Sequence, residues 1–231
     1  MQTHSSPLAA SLLPLQLLLA IDTCGPIGSV ALGRWDGRSV ELLGQIELEG
    51  RNCSSTLVSA VGELLAQGGV PLRELGALVA VSGPGSFTGV RVGLATVKGL
   101  AAGARLPVIA VSRLEVLAAK ASLEFSALDA HRQEIYLRLG AEGREVLAGA
   151  EELAVLDPPR RIACCDEAVA GLLASAWPSA EIIQTSAPTA ADALQFAAAR
   201  VAAGEFADLE RLDGHYLRRS DAEIFGAAAK T

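Results

Sequence analysis

Apolar residues recur along this chain with two periods, one typical of strands and one typical of helices. Short apolar runs bounded by turn residues predict five strands in the first half, over 15–23, 29–35, 40–47, 77–81 and 107–111. Apolar residues at helical spacing predict one helix that ends at Gly68-Gly69 and another over about 89–102. Ser112 and Glu115 form a capping box that opens a third helix, through about Ala121.

The same order of predicted elements begins again in the second half. Asp22 and Asp129 each end an apolar run beside a turn, and each is followed by a returning strand. Gly143 then turns the chain into a further strand, as Asp36-Gly37 does in the first half. The second half is completed by a strand over 161–165, a helix over 166–176, a strand over 181–184 and a helix opened by Thr189 and Asp192. The repeat predicts an α/β protein of two duplicated lobes with a cleft between them.

A glycine-rich loop joins the strand over 77–81 to the next helix, and it is the leading candidate for a binding site. Strand, glycine loop and helix together can aim backbone N–H groups at an anion. The glycine spacing fits neither a Walker A loop, nor the dinucleotide fingerprint, nor a nucleophile elbow. The candidate phosphate-binding residues are Asp22, Thr23, Gly83, Gly85, Ser86 and Gly89. The alternative is a tight turn in which Gly89 and Gly93 let the helix pack closely on its neighbour.

The polar residues of the two turns also have structural roles as alternatives. Each aspartate is expected to accept N–H groups of its own turn, as aspartate commonly does. The Thr23 hydroxyl can serve as a cap. His131 beside Arg132 and Glu134 suggests proton transfer, but no motif places a nucleophile near them. Exposed turn polarity is therefore the better explanation.

Composition and charge narrow the class of protein. The 231 residues are 51% hydrophobic and 19% charged, enough for one large domain or two small lobes. A net charge of −7 argues against a stand-alone nucleic-acid binder, which usually carries a basic face. The four cysteines include no C-x-x-C pair and the three histidines are scattered, so we predict reduced thiols and no metal site. Ser11, Pro14 and Gln16 break the first apolar run, and we expect residues 1–14 to be a loose extension rather than a signal peptide.

Several segments together resemble the TsaB family, also called YeaZ. The most specific part is the loop and helix GPGSFTGVRVGLATVKGLA (83–101). The family's order is followed by LLLAIDTCGPIGSVAL (17–32), PVIAVSRLEVLA (107–118), ALDAHRQEIYLRL (127–139) and YLRRSDAE (216–223). The resemblance implies an actin/Hsp70-like (ASKHA) fold of two ribonuclease-H-like lobes. The first lobe is expected over 15–122, and a smaller second lobe over 123–231, with a C-terminal segment that packs back on the first.

The resemblance also implies a function. TsaB-like proteins are partners of TsaD in making threonylcarbamoyladenosine, in the adenosine next to the anticodon of tRNAs. This chain is expected to be a non-catalytic subunit that binds TsaD, depends on the ATPase TsaE and meets tRNA only through the complex. No cofactor of its own is implied, and ATP or ADP at the interface of the complex is left open. Cys53 stands where many members carry a histidine, so the metal ligands of the partner family are missing. A cytoplasmic protein without membrane contact, dimeric when alone, is expected.

The helices of the first lobe are the expected contact surface. The resemblance implies that they form a bundle with the same helices of TsaD, or of a second copy. The candidate interface residues are Leu57, Val61, Leu64, Gly89, Val90, Gly93 and Val97. Arg91 and Lys98 share one helix face, and they are either solvated or in contact with a partner. The apolar residues among these can instead pack on the chain's own sheet, and their spacing does not decide between the two.

A stand-alone enzyme of the same fold is the alternative function. The glycine loop, together with Asp22 and Asp129, favours a nucleotide-binding hydrolase. A peptidase has less support, because no catalytic triad or zinc-ligand set is recognisable.

Overall fold

The computed structural model describes residues 16–48 and 53–218, without the side chain of Cys53. Three expectations therefore lie outside the described residues. They are the loose extension over 1–14, the surroundings of the Cys53 thiol and the last part of the closing segment, 219–223.

The first half of the chain folds around a five-stranded mixed sheet. Its strands are β1 (Gln16–Asp22), β2 (Gly28–Trp35), β3 (Val40–Leu48), β4 (Leu75–Val81) and β5 (Val108–Val111). They lie in the order β3-β2-β1-β4-β5, antiparallel from β3 to β1 and parallel from β1 to β5. The helices that alternate with them are α1 (Cys53–Gln67), α2 (Phe87–Ala104) and α3 (Arg113–Lys120).

The second half repeats this arrangement with shorter elements. Its strands are β6 (Ser126–Asp129), β7 (Ile135–Leu139), β8 (Arg144–Ala148), β9 (Arg161–Cys164) and β10 (Glu181–Gln184). The order β8-β7-β6-β9-β10 and the strand directions match those of the first sheet. The helices are α4 (Ala150–Val155), α5 (Glu167–Ala176) and α6 (Ala190–Ala203). The predicted duplication is confirmed, and the second copy is the reduced one.

The last helix of each repeat packs on the sheet of the other repeat. On the first sheet, α1 and α2 cover one face and α6 covers the opposite face. On the second sheet, α4 and α5 lie against one face while α3 packs against β6, β7 and β9. The central strands β1 and β4 are almost wholly buried because helices cover both of their faces. This exchange of helices interlocks the two lobes, and α3 and α6 also contact each other between them.

Most predicted elements are confirmed to within a few residues, including the capping box at Ser112 and the helix start at Thr189, which is a capping box as well. Cys164, which ends β9, and the adjacent Cys165 pack in different cores. The short helix α4 is a difference from the prediction. Its six residues bury only Leu153, which is too few positions to show a helical period. Among the described residues, no helix is both long enough and apolar enough to cross a membrane.

Candidate functional site

A buried ion pair holds the turn that follows β1. Asp22 ends this strand, and its Oδ1 accepts a hydrogen bond of 2.8 Å from the backbone N–H of Cys24. Its Oδ2 lies 3.3 Å from Arg113 Nε, at the start of α3, and both side chains are buried. Burial alone would lower the pKa of Arg113, but the adjacent charges, with Asp22 foremost, raise it. The hydrogen bond expected between Asp22 and its own turn is present, whereas Arg113 was missed because 91 positions separate it from Asp22.

The glycine loop packs directly on this turn. A Cβ on Gly85 would lie 2.2 Å from the carbonyl oxygen of Cys24, and one on Gly89 would lie 2.0 Å from that of Thr23. A Cβ on Gly93 would lie 2.3 Å from Thr23 Oγ1. Any side chain at these positions would overlap the turn, so glycine is what lets α2 approach it. The geometry therefore agrees with the close-packing alternative.

The polar groups of the loop bond to one another. The Ser86 N–H donates to the Cys24 carbonyl at 2.8 Å, and the Ser86 hydroxyl accepts from the Gly89 N–H at 3.3 Å as the N-cap of α2. Thr23 Oγ1 donates to the Gly89 carbonyl at 2.6 Å, and the Gly83 carbonyl accepts from the Arg113 N–H at 2.7 Å. The structure thus brings the six candidate phosphate-binding residues together. They surround the turn that follows β1, and the bonds described here are with one another or with neighbouring residues of the chain. Phosphate binding by this loop stays a prediction.

The corresponding turn of the second lobe is open. Asp129 ends β6, and its Oδ1 accepts from the His131 N–H at 2.7 Å while its Oδ2 lies 2.9 Å from His131 Nδ1. The imidazole of His131 is 84% exposed, so the exposed turn polarity expected here is confirmed for this residue. His131, Arg132 and Gln133 have φ values of 60°, 57° and 64°, in the left-handed region. The turn forms one wall of a groove of about 1040 Å³, whose other walls come from α4 and α5.

Residues 213–218, which we call the C-terminal strap, join the glycine loop to the second turn. The His215 N–H donates to the Ser82 carbonyl at 2.7 Å, just before the loop. At the other end, the Arg218 guanidinium contacts the Glu134 carboxylate and donates to the His131 carbonyl at 3.4 Å. The strap therefore crosses between the two lobes, from the start of the glycine loop to the turn that follows Asp129.

An aromatic and cationic cluster holds the middle of the strap. The Tyr216 ring lies 5.2 Å from the Phe87 ring, centroid to centroid. The Arg91 guanidinium lies 3.8 Å above the Phe87 ring, and Arg91 Nε donates to Tyr216 Oη at 3.3 Å. Arg91 thus has partners within the chain. The sequence alone had left open whether its side chain is solvated or contacts a partner. In the sequence analysis, Phe87 and Tyr216 occur only within longer segments and were not named as candidate residues.

A polar network lies where the two lobes meet. Glu145, on β8, accepts hydrogen bonds of 2.7 Å from Ser112 Oγ and 3.2 Å from Arg138 Nη1. Its Oε2 lies 2.9 Å from His215 Nε2. The contact with Glu145 raises the pKa of His215, against the opposing effect of partial burial. Arg138 also lies 3.7 Å from Glu115, so the network extends to α3.

The predicted interface residues lie mostly inside the chain's own fold. The buried ones are Leu57, Val61, Leu64, Val90, Gly93 and Val97, and Gly89 is half-buried. The two glycines face Thr23, and the apolar side chains belong to the core of the first lobe. In this conformation a partner would therefore meet the opposite side of α1 and α2. The interface role of these seven residues stays a prediction.

The exposed side of α1 and α2 carries small residues among longer polar ones such as Glu63 and Gln67. We call it the α1–α2 surface and define it by Val58, Gly62, Ala95, Gly99 and Gly103. The Val58 residue is 62% exposed. A Cβ added at Gly62, Gly99 or Gly103 would have no atom within 4 Å among the described residues, so none of them covers these positions. The sequence did not separate this side of the helices from the core side.

Two of the described cysteines have thiol pKa values that are strongly raised. Burial, followed by the charge of Asp22, raises the pKa of the Cys24 thiol well above its usual value. Burial and the neighbouring Asp166 raise the pKa of Cys165 to about 12. Both thiols are therefore protonated at neutral pH. Within 16–48 and 53–218, no group of three histidine, cysteine or acidic residues is placed to hold a metal ion.

Two sheets of the same topology, with their last helices exchanged and an aspartate turn in each, define an ASKHA-type protein of two ribonuclease-H-like lobes. A solved structure, YeaZ from Pseudomonas aeruginosa, superposes with a TM-score of 0.72 at 29% sequence identity. The superposition covers 87% of this chain and all of that one.

Sequence comparisons agree with the structural one. The family model "TsaD: tRNA N6-adenosine threonylcarbamoyltransferase" matches residues 46–162, about half of the chain. The tRNA threonylcarbamoyladenosine biosynthesis protein TsaB of Escherichia coli is 36% identical over 148 residues, which are 61% of this chain and 62% of that protein. TsaB of Haemophilus influenzae is 40% identical over 126 residues, 52% of this chain and 51% of that protein. The matches thus span between half and two thirds of these curated relatives. The chain belongs to the TsaB/YeaZ family.

Proposed function

We propose that this chain is a non-catalytic subunit in the formation of threonylcarbamoyladenosine in tRNA, and that it binds the transferase TsaD through the α1–α2 surface. The observation that carries the proposal is this exposed surface of small residues, which lies within the part of the chain that the transferase family model matches. The named relatives, TsaB of two bacteria, support the process in which the subunit acts.

The shape of the α1–α2 surface suits close packing against other helices. Three of its residues are glycines with open space beyond them, so a partner helix can approach the backbone directly. Val58 supplies an exposed apolar side chain for such a contact. Since residues 46–162 fit the model of the transferase family, TsaD is expected to present related helices. Two related surfaces can pair about an approximate two-fold axis, and a second copy of this chain would do so when TsaD is absent.

The chemistry is proposed to come from the partner. Asp22, which relatives of this fold that use nucleotide would direct at metal and phosphate, here neutralises the buried Arg113. The net charge of −7 likewise supports tRNA contacts made through TsaD rather than through this chain. We propose that TsaE and ATP or ADP act at the assembled complex, on the basis of the family resemblance. These contacts favour the subunit over a stand-alone hydrolase.

Light scattering coupled to size-exclusion chromatography tests the binding step. The full chain and its Val58→Glu variant are each mixed with TsaD of the same organism. The wild-type chain should form a one-to-one complex. The variant should bind at least about tenfold more weakly, because an unpaired carboxylate would be buried at the contact.

A matched control separates the surface from the substitution itself. Val155, on α4 of the second lobe, is 84% exposed, so Val155→Glu places the same charge on another exposed helix. Val155→Glu should bind TsaD like the wild type. If Val58→Glu also binds like the wild type, the α1–α2 surface is not the contact. Val61 and Gly93 are poor choices for this test, because both are buried and their variants would report on folding.

A further inference from the structure

The groove beside the second aspartate turn has an apolar floor and a charged rim. Its floor includes Ile135, Ala168, Leu172 and Ala176, from β7 and α5. Its rim carries acidic and basic residues of the turn and of the start of α4. The volume, about 1040 Å³, lies at the upper end of the range for ligand pockets and has room for a short peptide segment.

The C-terminal strap ends at this groove. Arg218, the last described residue, contacts the Glu134 carboxylate and the His131 carbonyl, and both partners belong to the groove's lining. The strap is fixed immediately upstream, since Leu217 packs against the core beside α3. The chain is therefore delivered to the rim of the groove in a defined position.

The residues that follow Arg218 have a matching composition. Residues 219–223 are Arg-Ser-Asp-Ala-Glu, and the next two, Ile224 and Phe225, are large and apolar. Six residues of extended chain reach at most about 20 Å, enough to carry Ile224 from the rim across the floor. Polar residues would then lie at the charged rim and the apolar pair over the apolar floor.

We propose that residues 219–225 of this chain dock in the groove, with Ile224 and Phe225 on the floor formed by α5 and β7. The docked segment would continue the strap and secure its second end. The proposal concerns the second lobe only and does not depend on the function proposed for the α1–α2 surface.

Photo-crosslinking in the full chain tests the docking. A benzophenone amino acid replaces Phe225, and the crosslinked peptides are mapped by mass spectrometry. We expect crosslinks within one chain to α5 or to the β6–β7 turn. Crosslinks to other surfaces, or none, would overturn the proposal. Crosslinks between two copies that increase with protein concentration would also overturn it, because a second copy would then supply the segment.

A pair of exposed substitutions gives the control. Ala168 lines the groove, and Ala168→Glu should lower the crosslink yield about tenfold by placing a charge on the apolar floor. Val155 lies outside the lining, and Val155→Glu should leave the yield unchanged.

A second readout leaves the charge of the floor unaltered. In an Ala168→Cys chain, the introduced thiol should be alkylated several times faster when Ile224 and Phe225 are both replaced by aspartate. Equal alkylation rates with and without the aspartates would count against docking, whatever the folding of the Ala168→Glu variant.

Discussion

The two aspartate turns occupy equivalent places in the duplicated lobes but have opposite surroundings. Asp22 and Asp129 each end the first strand of a repeat, and each accepts a hydrogen bond from the backbone N–H two residues further on. The first turn is then covered by the glycine loop and neutralised by Arg113. In the second turn, the imidazole of His131 is not covered in this way: it is 84% exposed and lies beside the groove. The two lobes therefore share the hydrogen bond that each aspartate accepts from its own turn, while the neighbouring elements decide whether the turn is a buried joint or an exposed surface.

Removing the charge of each aspartate should give the largest difference in stability between the two turns. Asp22→Asn keeps an acceptor for the Cys24 N–H but leaves Arg113 buried without its counter-charge. Breaking a buried ion pair in this way costs about 3–5 kcal/mol. Asp129→Asn, at a largely exposed pair, should cost less than about 1 kcal/mol. Urea unfolding of both variants measures the difference, and equal losses of stability would contradict the contrast between the turns.

Two helix glycines should respond in opposite directions to alanine. Gly89→Ala in α2 would place a Cβ 2.0 Å from the Thr23 carbonyl, so we expect a loss of about 1–3 kcal/mol from forced backbone movement. Gly171 lies in α5, the equivalent helix of the second lobe, and its Cβ position has no atom within 4 Å. Gly171→Ala should therefore stabilise the chain by about 0.5–1 kcal/mol through helix propensity. Thermal unfolding gives the sign of each change, and a stabilising Gly89→Ala would show that α2 does not pack on the turn this closely.

The strap that joins the glycine loop to the second turn should show a smaller, pH-dependent effect on stability. His215 lies beside Glu145, with Glu115 and Arg138 in the same network, and its pKa is raised by the contact with Glu145. A raised pKa in the folded chain stabilises the strap fully below the unfolded pKa, and this contribution is lost as pH rises through the folded pKa. Because His215 is partly exposed, the gain should not exceed about 1 kcal/mol.

An NMR titration of the His215 ring checks this effect. The Glu145→Gln variant should lower the His215 pKa. It should also reduce the pH dependence of the protection against exchange of the His215 amide, which donates to the Ser82 carbonyl. An unchanged His215 pKa in the variant would mean that Glu145 does not hold the strap.

The order of elements was predictable because each element carries a local signal. The capping boxes at Ser112 and Thr189, and the apolar runs of β1 and β4, depend on residues close together in the chain. The cores were not predictable in the same way. The pattern of α6 indicates an apolar face. It does not identify the sheet on which this face packs, because hydrophobic burial is non-directional and the sheet of either repeat could cover it.

The candidate site was only partly predictable for a similar reason. Gly85, Gly89 and Gly93 were singled out, and close packing was one of two alternatives for Gly89 and Gly93. Arg113 carries no local signal, because an arginine after a capping serine is ordinary until Asp22 is brought to it by the fold. The sequence pattern did not distinguish interface residues from core residues on α1. Leu57 and Val58 are neighbours on one amphipathic helix, and the pattern does not show whether a partner covers the exposed side.

The content of threonylcarbamoyladenosine in cellular tRNA tests the central claim most directly, namely that the chain acts through its outer α1–α2 surface rather than through a catalytic cleft. A strain that lacks the gene is complemented with the wild type, Val58→Glu or Val155→Glu, and nucleosides are quantified by mass spectrometry at equal protein levels. The account predicts that the wild type and Val155→Glu restore the modification and that Val58→Glu does not. Full restoration by Val58→Glu, or tRNA that is normally modified in the strain without the gene, would contradict it.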